Sequence, residues 1–146
     1  MNTVYKIEKY LKASNPATEP RDLAKLARST NIRIRVRVAE NPSTPKEVLE
    51  LLARDDNAEV RLAAATNPST PVDITYLLAY DPDPTVRHGI AEDATVPIGV
   101  LKILNHDDNP YVACRARKTL EQVFAGQREH SSQSQWLDSG QKDSCA

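Results

Sequence analysis

Apolar residues return along the chain in clusters of helical spacing set 26 positions apart. Leu23 and Leu26 are followed by Val48, Leu49, Leu51 and Leu52, then by Ile74, Leu77 and Leu78, then by Val100, Leu101, Ile103 and Leu104. This is one helical face repeated. The polar segments between the clusters repeat with them. Asn41-Pro42-Ser43-Thr44-Pro45 recurs as Asn67-Pro68-Ser69-Thr70-Pro71, and Val60-Arg61 as Val86-Arg87, at the same offset of 26. One further step reaches Asp93-Ala94-Thr95-Val96-Pro97. A step back reaches Asn15-Pro16, followed by Thr18-Glu19-Pro20 with one residue extra. A fixed period in this range marks a repeat array.

The turn chemistry accounts for the breaks between helices. A residue before proline is pushed out of the helical region, so Asn41 ends one helix. Thr44 is then expected as the N-cap of the next, with Pro45 at its first position and Glu47 completing a capping box. Thr70, Pro71 and Asp73 repeat the arrangement; Val96-Pro97-Ile98-Gly99 lacks the hydroxyl and is expected to start a weaker helix. Asp55-Asp56-Asn57, Asp81-Pro82-Asp83-Pro84 and Asp107-Asp108-Asn109-Pro110 close the leucine-rich helices, and a second short helix follows each. One stretch reads differently: Ile32-Arg33-Ile34-Arg35-Val36-Arg37-Val38 alternates like a strand. The repeat register, which aligns Ile34 with Val60 and Val86, assigns it to a helix.

Helices this short are marginal alone, so stacked neighbours must supply the core. The expected fold is an all-α helical repeat solenoid of about four 26-residue units. Residues 1–14 form an N-terminal cap helix with Val4, Ile7 and Leu11 on one side, and residues 15–125 form the solenoid, closed by a cap around Val112 to Ala125. Residues 126–146 are polar and aperiodic and are expected to be disordered.

The Asn-Pro-Ser-Thr-Pro turn, the leucine-rich helix after it and the Val-Arg-x-x-x-Ala stretch before the next turn resemble the leucine-rich repeat variant family over roughly residues 15 to 120. That resemblance implies a right-handed superhelix in which α-helices alternate with shorter, often 3₁₀, helices. The Asp55 to Arg61 pattern is also similar to HEAT repeats of the phycobilisome-lyase type. Some variant-repeat proteins carry an N-terminal cysteine cluster for an iron–sulfur centre; this chain has no cysteine before Cys114, so that feature is not implied. Neither resemblance transfers a catalytic residue.

Composition narrows the chemistry. Aromatic residues are 5%, and no apolar run approaches the ~20 residues of a membrane span. No secretory h-region opens the chain, so a cytoplasmic protein without membrane association is expected. Two cysteines are too few for a disulfide framework or a thiolate metal site. No nucleophile–base–acid set and no glycine-rich phosphate loop is present, so no enzyme activity, cofactor or metal is expected. His88 and Cys114 share a repeat position, which suggests a partly buried histidine beside a cysteine rather than a zinc site.

The charge is uneven. Residues 1–39 carry nine Lys and Arg against three acids, a net of +6, while the whole chain is −1, so the remainder sums to −7. Such a separation favours an acidic protein surface, nucleic acid or head-to-tail association with another copy as the partner. Arg35, Arg61 and Arg87 form a column at the repeat period, expected to pair with aspartates of neighbouring turns such as Asp55 and Asp81. Arg33 and Arg37 lie outside the column, and Trp136-Leu137 is the one large apolar pair of the tail; with the column they make the candidate interaction residues. The resulting reading is a non-catalytic protein-interaction or scaffold module. A nucleic-acid-associated protein using the basic N-terminal end is the first alternative, and an accessory subunit of an enzyme complex the second.

Overall fold

The computed structural model describes residues 3–139, with side chains described through residue 129. Nine helices and no strand are present among them. A long series comprises α1 (Thr3–Ser14), α3 (Ile32–Glu40), α5 (Ala58–Thr66), α7 (Pro84–Glu92) and α9 (Pro110–Ser139). A short series of seven residues each comprises α2 (Pro20–Leu26), α4 (Lys46–Leu52), α6 (Val72–Leu78) and α8 (Ile98–Leu104). From α2 and α3 onward, each member of a series starts 26 residues after the last. The long helices stack on one another in chain order, and the short ones pack on the long ones rather than among themselves. This is a helical repeat solenoid, and its short helices are α-helical rather than 3₁₀.

The core runs between the two layers as columns at the repeat period. Ile34, Val60, Val86 and Val112 form one, and Leu26, Leu52, Leu78 and Leu104 another, all buried. Each leucine withdrawn from water contributes about 2 kcal/mol, which offsets the poor intrinsic stability of a seven-residue helix. The strand-like stretch is helix α3, with Ile34 and Val38 one turn apart and buried. A helix this narrow buries one stripe only: Val48, Leu49 and Leu52 are inside, whereas Leu51 and its repeat counterpart Leu77 are exposed.

Three expectations about the turns are corrected. The first unit carries no extra residue, because the Glu19 carbonyl accepts from the N–H groups of Asp22 and Leu23 as the Pro45 carbonyl does from Val48 and Leu49. The first turn therefore keeps the strict period, with its proline one position later. Thr44 does not cap α4: Pro45 occupies the N-cap and no side-chain cap bond is made. The Thr44 hydroxyl instead donates backward to the Val38 carbonyl at 2.6 Å, closing the C-terminus of α3, as Thr18 does to Lys12 and Thr70 to Ala64. A hydroxyl can donate or accept, and the buried carbonyl behind it has the greater need. For the same reason Val96 costs α8 no cap, and α8 is as long as α4 and α6.

The final helix also departs from expectation. α9 runs past Gly126 to Ser139, where the sequence predicts a disordered tail to begin. No proline interrupts the segment, and an alanine-sized side chain at Gly126 would meet nothing within 4 Å. Helix therefore continues there without help from the core, with residues 124–129 exposed. No described helix is long and apolar enough to cross a membrane.

Candidate functional site

Two polar ladders run the length of the solenoid. In the first, each arginine of the long series reaches forward to an aspartate twenty residues on. Arg35 Nε donates to Asp55 Oδ2 at 2.7 Å and its Nη2 to Oδ1 at 3.0 Å; Arg61 meets Asp81 at 2.8 and 3.0 Å, and Arg87 meets Asp107 at 2.7 and 3.1 Å. The remaining Nη1 of each donates to a carbonyl of the turn six residues behind, Ser29, Asp55 or Asp81. The fork of the guanidinium suits this bidentate geometry. Each aspartate also accepts a backbone N–H two residues on, from Asn57, Asp83 or Asn109. Those three residues in turn cap α5, α7 and α9. The ladder stops at both ends: Ser29 stands at the aspartate position of the first unit and Ala113 at the arginine position of the last.

The second ladder escaped the sequence reading. Asn41 Nδ2 donates to the carbonyls of Ala13 and Asn15 at 2.8 and 3.0 Å, and Asn67 Nδ2 to those of Ala39 and Asn41 at 2.6 and 3.0 Å. The next position of the column is Asp93, whose side chain has no N–H to give; its Oδ1 accepts from the N–H and hydroxyl of Thr95. One unit further on, the Thr119 hydroxyl donates to the Ala91 carbonyl at 2.7 Å. The Ala65 carbonyl therefore lacks the cross-unit bond that Ala13, Ala39 and Ala91 receive. The recurrence of Asn at the repeat period, with its break at Asp93, is the signal that would have exposed this ladder.

Burial pushes the Asp55 and Asp107 carboxyls up, but the paired arginines together with the Asn57 and Asn109 N–H groups outweigh it and hold both below the usual carboxylate range. A depressed native value stabilises the fold above the unfolded carboxylate pKa of about 3.9, and that stability is lost as pH falls through the lowered values. Urea midpoints followed by circular dichroism are expected to stay level from neutral pH down to about 5 and to fall steeply below about 4. Asp55→Asn is expected to flatten that fall. A wild-type midpoint unchanged at pH 3 would contradict the ladder's role.

The ladders leave Arg35, Arg61 and Arg87 committed within the fold, their side chains about 15% exposed. Arg33 and Arg37 lie elsewhere, together, on the outer side of α3. They line an open groove of about 460 Å³ against α1, with Lys6, Ile7, Tyr10 and Val36. Arg37 stacks its guanidinium 5.1 Å from the Tyr10 ring centre, donates to the Tyr10 hydroxyl and pairs with Glu40 at 2.7 Å. No ion pair or hydrogen bond engages the side-chain nitrogens of Lys6 or Arg33 among the described residues. The side of α1 that carries Val4, Ile7 and Leu11 is exposed, at 56%, 53% and 61%. The Trp136 side chain lies outside those described. His88 is half-exposed with Glu92 4.0 Å away, Cys114 is exposed, and no group of three or more His, Cys, Asp or Glu suited to a metal ion occurs among the described residues.

Residues 8–68 match the Leucine Rich Repeat Variant domain. Over that stretch the chain is similar to the variant-repeat family. The match runs from within α1 to the turn before α6, and the same 26-residue geometry continues from there to α9. No curated protein and no solved structure matches the chain. Within the repeat, then, arginine and asparagine side chains are spent on holding units together, while Lys6 and Arg33 beside the N-terminal groove engage no side-chain partner among the described residues.

Proposed function

We propose that this chain is a non-catalytic protein-interaction module that presents its N-terminal end to a partner in the cytoplasm. The supporting observation is the contrast between the ladder arginines, each bonded on every side, and the groove of Lys6, Arg33 and Arg37 over exposed apolar residues. Side chains that stabilise the fold are buried in it; those left open beside an apolar surface are the ones a partner can use. A nucleic-acid partner is the second reading, favoured by the same three cations. Fluorescence anisotropy of labelled single-stranded and duplex oligonucleotides separates the two. Weak binding that is no different in Arg33→Glu/Arg37→Glu is expected; tight binding that falls steeply with salt and is abolished by the charge reversal would transfer the site to nucleic acid.

A further inference from the structure

We propose that the groove between α1 and α3 is the docking site for an amphipathic, acidic helix of a partner protein. This rests on the interaction-module reading and specifies both the surface and the chemistry of what lies on it. Val4, Ile7 and Leu11, at spacings of three and four, form one exposed stripe along α1, and Ile7 continues from it into the groove beside Tyr10 and Val36. Three large apolar side chains, each more than half exposed on a single helix face, form a patch of the kind that marks a binding surface. The ridge they make is the complement of another helix, which packs at about 8–10 Å between axes. An extended peptide has no sheet edge to join, since the described residues contain no strand.

Charge selects the partner. Lys6, Arg33 and Arg37 border the groove against the single acid Glu59. Arg37 is fixed in place by Tyr10 and Glu40, so little freedom remains for it to lose on binding. Among the described residues Lys6 and Arg33 have no acidic partner, and carboxylates flanking an apolar helix face would supply one. A nucleic acid fits this surface less well. The Tyr10 ring is covered by Arg37 rather than open to a base, and at the repeat period Arg33 is followed by Glu59, Thr85 and Tyr111, and Arg37 by Ala63, Gly89 and Arg115. The cationic surface therefore ends after one unit and gives a phosphate backbone no track to follow.

The test uses the full chain, immobilised, against random peptides displayed on phage and long enough for about four helical turns. Enriched peptides are expected to combine Asp or Glu with Leu, Ile or Phe at helical spacing. Their affinity is expected to drop about tenfold or more in Lys6→Glu/Arg33→Glu and separately in Ile7→Ser. All three residues are exposed, and unchanged circular dichroism of the variants keeps loss of fold out of the result. Enriched peptides that lack acids, or that bind both variants as well as wild type, would overturn the groove proposal while leaving an interaction module standing. Oligonucleotide binding abolished by the same variants would overturn both, as would a library that yields no binder to a chain shown monomeric by light scattering.

Discussion

Arg61→Ala is expected to lower stability by about 3–5 kcal/mol, read as a fall in the urea midpoint of the helical signal. The substitution leaves the Asp81 carboxylate, whose side chain is 2% exposed, without its guanidinium, and it removes the donor to the carbonyls of Asp55 and Asp56. A buried charge without a partner is among the most damaging single defects. Arg33→Ala, only two residues from the Arg35 rung but outside the ladder, is expected to change stability by less than about 0.5 kcal/mol. Equal effects from the two would show that the ladder is ornament rather than framework.

The second large effect concerns the asparagine ladder. Asn67→Asp removes the donor from two carbonyls, of Ala39 and Asn41, and sets a carboxylate against them, for an expected loss of about 3 kcal/mol. Asp93→Asn is the mirror experiment. It restores the donor that faces Ala65 and is expected to raise stability by about 1–2 kcal/mol, measured by the same titration. A neutral or destabilising outcome at residue 93 would mean that the α5–α7 junction is held differently from the junctions before it.

Much of this architecture was legible because the repeat declares itself twice, in the turn and in the arginine. The period placed α3 in helical register against its own strand-like alternation, since Ile34 takes the position of Val60 and Val86. The pairing of Arg35 with Asp55 and of Arg61 with Asp81 was readable for the same reason. The direction of a hydrogen bond was not. Thr44 sits in a sequence context that suits an N-cap, yet it serves the helix behind it, because spacing along the chain does not say which end of a turn holds the buried, unpaired carbonyl. Asn41 was read through its backbone, as the residue before proline, while its side chain reaches 26 and 28 residues back. The groove was half visible: the extra basic residues Arg33 and Arg37 stood out, but Tyr10, Ile7 and Lys6 join them only through the packing of α1 on α3. The length of α9 was missed because polar composition without periodicity reads as coil, although nothing in the segment up to Ser139 forbids a helix.

Every cross-unit bond of the two ladders spans 20, 26 or 28 residues, so the fold never asks distant parts of the chain to find each other. Loop closure on that scale is cheap and fast, and the chain can assemble from any interior unit outward. Opening follows the same grain. At the junction where Asp93 stands, the side chain makes none of the cross-unit bonds that Asn67 and Thr119 make on either side, which makes it the natural seam: α7, α8 and α9 can part from the preceding units there as a block, and amide exchange on the two sides of the seam need not keep the same clock.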